Sequence, residues 1–129
     1  FSQASGRAIG KRIIPEKLAK VLEWCKASEI SVYGTTQMGA PGSTFASDVA
    51  TLETLIDLKR NGYIRTWQNS ISTPQPGTPM FEQAKKENRL LTEDLSLYDG
   101  GTVVMEIPGY PKEKIEEVRQ MWMRHQGIE

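Results

Sequence analysis

Apolar positions recur along this chain at two spacings, every three to four residues and every second residue, and clusters of Pro, Gly, Ser and Thr separate the stretches. Leu18, Val21, Leu22 and Cys25 follow Pro15 at helical spacing, with Lys17, Lys20 and Glu23 off the stripe, which predicts a helix over residues 15–28. Phe45, Val49, Leu52, Leu55, Ile56 and Leu58 trace a second helical face, and Asn61-Gly62 supplies its left-handed stop. Thr78 is placed to cap a short third helix with Pro79 in its first turn and Phe81 and Ala84 facing inward. Ile115, Val118, Met121 and Trp122 predict a final amphipathic helix that Gly127 ends.

Between these helices the period shortens. Ile30, Val32 and Tyr33 favour a strand over residues 30–38 that runs out into Thr35-Thr36-Gln37 and a glycine turn. Ile64, Thr66, Trp67 and Ile71 predict another strand within residues 63–72, closed by a proline-rich turn. Residues 1–6, ending in Ser5-Gly6-Arg7, suit the end of an opening strand. Residues 88–101 read as a looser region, and residues 102–107 as a short strand or extended segment. Strand and helix in alternation predict an α/β fold with parallel strands joined by right-handed crossovers. Ligands in such folds gather beyond the carboxyl ends of the strands, so Ser5-Gly6, Gln37-Met38-Gly39 and Ser72-Thr73-Pro74 are expected to converge on one rim.

Composition narrows the functional classes. At 129 residues the chain makes about one domain, and 16 basic against 16 acidic residues leave no excess positive charge for a phosphate backbone. Nucleic acid is therefore not an expected partner. No apolar run reaches the roughly 20 residues of a bilayer span, so no membrane partner is expected either. A single cysteine, Cys25, and a single histidine, His125, leave no metal-ligand set within the chain. The start, Phe1-Ser2-Gln3, carries neither an initiator Met nor a signal-peptide pattern, and the sequence is expected to be a piece of a longer chain.

Most chemically suggestive residues have ordinary explanations. Cys25 lies on an apolar stripe, which favours packing over reactivity, and Trp24, Trp67 and Trp122 are expected to be buried rather than to stack on bases. His125 falls in the last turn of the final helix, where it suits the helix dipole and solvent. Glu113, Glu116 and Glu117 with Lys112 and Lys114 make a solvated face. Ser5 has no partner histidine and reads as a hydrogen-bond donor, so no catalytic residue is assigned. Arg7, just past a strand end, has a guanidinium that can fork onto a carboxylate or phosphate, or form a surface salt bridge. Met38-Gly39-Ala40-Pro41-Gly42 fits no phosphate-loop fingerprint; it is either a tight turn or a place where backbone approaches a ligand.

Taken together, three stretches carry a resemblance. Ala4-Ser5-Gly6, Met38-Gly39-Ala40-Pro41-Gly42 and Thr73-Pro74-Gln75-Pro76-Gly77-Thr78-Pro79-Met80-Phe81 resemble, in that order, the Glu-Ser-Gly, Gly-x-Pro-Gly and Pro-x-Pro-Gly-Thr-Pro stretches of the radical S-adenosylmethionine domain. The likeness covers most of the chain and is to the C-terminal half of that domain, of the type often fused to a cobalamin-binding domain. It implies a partial, half TIM-type barrel with parallel strands and outer helices. Residues 1–129 would be the C-terminal part, and the cluster-binding N-terminal part, with its Cys-x-x-x-Cys-x-x-Cys motif, would lie outside this chain.

The implied activity is reductive cleavage of S-adenosylmethionine to a 5′-deoxyadenosyl radical by a four-iron, four-sulfur cluster. Cobalamin, also outside this chain, serves the methyl-transferring members, while methylthiolation and ring rearrangement are alternatives. The resemblance gives Ser5 and Gly6 a contact to the methionine or ribose part of S-adenosylmethionine and Arg7 one to its carboxylate. Gln37 would bond the ribose, Met38 and Gly39 would lie beside the adenine, and Thr73 joins the cofactor-binding set. Ala4 departs from the family's acidic residue, so one polar contact must come from elsewhere. The parent would be a cytoplasmic enzyme acting on a small molecule, and its partner would be the rest of its own chain. The isolated fragment would be inactive and would self-associate through uncovered strand edges and one apolar sheet face. The alternative is a non-catalytic α/β binding or interaction module.

Overall fold

The structure, a computed structural model, describes residues 13–127. Its elements run α1 (Pro15–Ala27), β1 (Tyr33–Met38), α2 (Phe45–Arg60), β2 (Thr66–Ile71), α3 (Pro79–Lys86), a single 3-10 turn at Leu95–Leu97, and α4 (Lys112–Gln126). β1 and β2 pair in parallel with Tyr33 opposite Thr66 and Met38 opposite Ile71, so the chain between them must cross over, and α2 is that crossover. This is a mixed α/β fold. The expected opening strand over residues 1–6 lies outside the described residues. The two observed strands are shorter than the sequence pattern because residues 30–32 and 63–65 lead into the pairing rather than belonging to it, apart from one bond from the Arg65 N–H to the Val32 carbonyl at 2.9 Å.

Local chemistry sets the helix starts. Thr44 and Ser47 form a reciprocal capping box on α2: the Ser47 N–H donates to Thr44 Oγ1 at 3.1 Å and the Thr44 N–H donates to Ser47 Oγ at 2.9 Å. Thr78 Oγ1 accepts from the Phe81 N–H at 3.3 Å, with Pro79 in the first turn of α3, where its missing N–H costs nothing. α1 also opens on a proline, without a side-chain cap.

Register divides the sheet into two unlike faces. Gly34, Thr36 and Met38 share one face with Trp67, Asn69 and Ile71; Tyr33, Thr35 and Gln37 share the other with Thr66, Gln68 and Ser70. The first face meets the helices, and α4 packs against both strands and against α2. The second is polar, in place of the apolar open face expected of an excised half barrel, because Thr35, Gln37, Thr66, Gln68 and Ser70 alternate onto it, and Tyr33, Thr35, Gln37 and Gln68 are exposed. Parallel sheets are ordinarily covered on both faces, so a polar, open face is the exception that needs a use.

Two apolar clusters support the sheet. Toward the carboxyl ends, Met38 and Ile71 join Val103, Met105, Ile107, Tyr110, Ile115 and Val118. Toward the amino ends, Trp67 joins Leu22, Leu52, Leu55 and Ile64. The ring of Trp67 also stacks on His125 of α4, centroids 5.6 Å apart, and a side chain at position 34 would press its Cβ to 3.2 Å from Trp67 Cβ, which is why glycine stands opposite the indole. Residues 102–107 are extended without forming a strand: they bridge antiparallel to residues 89–91 through the Leu91 N–H to Val104 carbonyl bond at 2.9 Å and the Glu106 N–H to Arg89 carbonyl bond at 2.8 Å.

The tryptophans need one correction. Trp67 is buried as expected and Trp122 half-buried, but Trp24 is 67% exposed, because Leu22 takes the inward position on α1 and turns Trp24 and Val21 outward. Ile13, Ile14, Ile30 and Tyr33 are exposed as well, leaving apolar surface on α1 and at the start of β1.

Candidate functional site

Two of the three expected strand tips lie side by side. The pairing of Gln37 with Ser70 and Met38 with Ile71 continues one step past the strands, where the Ser72 N–H donates to the Met38 carbonyl at 2.9 Å. A third segment reaches the same edge: the Ile71 N–H donates to the Gly100 carbonyl at 2.7 Å, and Asp99 Oδ1 holds that loop by accepting from the Gly101 and Thr102 N–H groups at 2.8 and 2.9 Å. Ser5, Gly6 and Arg7, assigned to the remaining tip, lie outside the described residues.

The other assigned residues have different degrees of access. Gln37 is exposed on the polar face at the end of β1, and its amide offers both donor and acceptor. Met38 is 1% exposed, its side chain belongs to the core and its carbonyl is taken by the Ser72 N–H, so the residue expected beside an adenine lies beneath the surface. Thr73 is half-buried, and its hydroxyl donates to the Ile71 carbonyl at 3.1 Å. Gly39 is buried in a left-handed conformation, φ +64°, which an L side chain adopts at a cost of about 1–2 kcal/mol. A Cβ there would come within 3.0 Å of Ile115 Cδ1. Its lack of a side chain thus makes room for Ile115 of α4, rather than opening space toward a ligand.

The residue that fixes this turn is Asp48, in the first turn of α2. The Gly39 N–H donates to Asp48 Oδ2 at 2.7 Å, and the aspartate is only 8% exposed. Burial raises its carboxyl above the ordinary aspartate value, while hydrogen bonds from Gly39 and from neighbouring hydroxyl groups act the other way. Tyr110, 1% exposed, stands near enough for the Asp48 charge to add to the effect of burial in raising its phenol above the usual tyrosine range. Its hydroxyl lies close enough to the Asp48 carboxylate to interact with it, outside strict hydrogen-bond geometry. Ser43 closes the turn, its N–H and hydroxyl both donating to the Ala40 carbonyl, at 2.9 and 2.8 Å.

Sequence reasoning passed over Asp48, although the signal was present. The residue stands three positions after Phe45 and four before Leu52, on the apolar stripe of its own helix. A carboxylate there must find a buried donor or lose its charge.

As chemistry, the rim is a set of hydrogen-bonding groups rather than a reactive centre. The described residues hold no group of three or more His, Cys, Asp or Glu side chains able to bind a metal ion, and Cys25 sits half-buried on α1. A four-iron, four-sulfur cluster therefore has no ligand set among the described residues. No helix of the described residues is long and apolar enough to cross a membrane. In comparison with known proteins, the chain matches no family model and no curated protein.

Proposed function

We propose that this chain is the C-terminal wall of a radical S-adenosylmethionine domain, a half TIM-type barrel, and that it binds S-adenosylmethionine at the carboxyl ends of β1 and β2. The observation that carries this reading is the alignment of the two tips beside an uncovered polar sheet face. Helices cover one side, as on the outside of a barrel, while Thr35, Gln37 and Gln68 face the side that would be the lumen. The motif likeness supplies the ligand: it runs through Met38-Gly39-Ala40-Pro41-Gly42 and Thr73-Pro74-Gln75-Pro76-Gly77-Thr78-Pro79, the loops that leave the two tips.

In this reading residues outside this chain would hold the cluster, whose chemistry would be reductive cleavage of S-adenosylmethionine. The residues described here bind and orient. Gln37 bonds the ribose hydroxyls through its amide and Thr73 lines the neighbouring tip, while Met38 and Gly39, both buried, support Gln37 from behind instead of bordering the adenine. The reading covers cobalamin-dependent methyl transfer, methylthiolation and ring rearrangement alike.

Titration of the isotope-labelled chain with S-adenosylmethionine tests the binding claim. Saturable amide shifts should centre on Gln37, Gly39, Ala40 and Thr73, and Gln37→Ala should weaken binding about fivefold to tenfold, the worth of roughly one hydrogen bond, without changing stability. Shifts scattered elsewhere, or none, would refute it. In the reconstituted parent protein, reductant should release 5′-deoxyadenosine.

A second reading, an interaction module without catalysis, is favoured by the exposed Trp24, Val21, Ile30 and Tyr33. The same residues lead us to expect that the isolated chain self-associates. Sedimentation should give a mass that rises with concentration and falls back toward monomer in Trp24→Lys; a monomer at every concentration would count against both.

A further inference from the structure

We propose that Asp48 is a positioning residue for the tip of β1, holding the buried backbone of residues 38–40 in the single conformation that sets the exposed Gln37 toward a ligand on the rim. The ligand part of this inference rests on the function proposed above; the positioning part stands on the fold alone.

Asp48 occupies a place where helix packing by itself favours an apolar side chain, between Phe45 and Leu52 on the inward stripe of α2. Its carboxylate is instead bonded to the one backbone N–H that has just left the strand, that of Gly39, at 2.7 Å. That bond sets how the turn continues. The Met38 carbonyl before it is tied to the Ser72 N–H, and the Ala40 carbonyl after it to the Ser43 N–H and hydroxyl. Between these fixed points lies the Gly39–Ala40 peptide, which no described residue engages and whose orientation follows from the Gly39 φ of +64°.

Ile115 fills the space behind Gly39, so the turn cannot relax backwards, and the capping box at Thr44 and Ser47 fixes the helix start from which Asp48 reaches it. The arrangement is a three-point clamp of α2, α4 and β2 on five residues of loop. Only the Asp48 point of that clamp is a polar side chain placed against the packing preference of its own helix.

This separates positioning from simple stability. Asp48→Leu restores an apolar stripe, so the variant keeps its fold while releasing Gly39; Asp48→Asn keeps an acceptor oxygen for the same N–H. In wild-type chain, amide hydrogen exchange at Gly39 should be slow. In Asp48→Leu it should speed up, and S-adenosylmethionine affinity should fall, each by about tenfold, equivalent to about 1.4 kcal/mol for one lost buried hydrogen bond. Asp48→Asn should stay within about threefold of wild type on both readings. Asp48→Ala replaces the leucine variant should the latter not fold.

Unchanged Gly39 exchange in a folded Asp48→Leu or Asp48→Ala chain overturns the positioning role, whatever the affinity does. Faster exchange with unchanged affinity overturns the link from the turn to the ligand. Absence of S-adenosylmethionine binding in wild type overturns the functional reading instead, and the exchange measurement still decides the role of Asp48.

Discussion

Replacing Gly39 with alanine perturbs the strand tip in two ways that the structure allows to be separated. The first is conformational: at φ +64° an L residue loses about 1–2 kcal/mol against glycine. The second is steric, because the new Cβ would lie 3.0 Å from Ile115 Cδ1 and 3.1 Å from its Cγ2. Ile115 is 1% exposed and shares its cluster with Met38, Tyr110 and Val118, so it has no solvent to retreat into, and crowding of this kind typically costs about 1–3 kcal/mol. Gly62 provides the control. Its φ is +74°, but nothing stands within 4 Å of the added methyl group, so Gly62→Ala carries the conformational cost alone.

Both alanines restrict the unfolded chain equally, which removes that contribution from the comparison. Gly39→Ala should therefore lose about 1–3 kcal/mol more than Gly62→Ala in urea unfolding followed by far-ultraviolet circular dichroism. In an Ile115→Val background, from which Cδ1 is gone, the excess should shrink. Equal losses for the two alanines would show that Ile115 yields freely, and the account of this turn as a packed clamp would be wrong.

Three further outcomes follow from the same geometry. Burial holds the Asp48 carboxyl above its unfolded value, so the folded state keeps that proton more tightly and the contribution to stability falls as pH rises through the acid range above about 4. Asp48→Asn removes this dependence, so its stability relative to wild type should improve steadily from acid to neutral pH in urea titrations, and a difference independent of pH would refute the argument. Tyr110→Phe removes the buried hydroxyl beside the Asp48 carboxylate and should cost no more than about 1 kcal/mol in urea unfolding, whereas a larger loss would show a full bond between the two groups. Thr78→Ala removes the α3 cap and should cost about 0.5–2 kcal/mol in the same unfolding assay, with no loss meaning that Pro79 alone fixes the helix start.

How far the sequence anticipated this molecule depends on which interactions are local. Caps and stops were legible because they are written within four residues: Thr44 with Ser47, Thr78 with Pro79, Gly127 after α4. The parallel pairing was legible through alternation, since a strand, a helix and a strand in succession leave little other choice. Trp24 was misjudged because its size was read as burial; it stands two residues after the inward Leu22, on the opposite side of α1, and is left outside. Asp48 was missed because its partner is a backbone N–H outside its own helix, a contact that side-chain spacing cannot display. The segment over residues 102–107 has the composition of a strand, yet its neighbours at 89–91 offer only isolated bridges. That outcome is decided by tertiary placement and not by β-propensity.

Among the described residues the sheet is one parallel pair and contains no hairpin. Thr36 and Gln68, joined across it, stand 32 residues apart in sequence, and closing a loop of that length costs roughly 3 kcal/mol of chain entropy before any ladder bond forms. The strands therefore cannot meet early and wait for the helix between them; shortening that distance is the helix's work during folding. Fraying of the crossover should dissolve the ladder with it, and the fluorescence of Trp67, although the residue lies in a strand, should report the melting of α2.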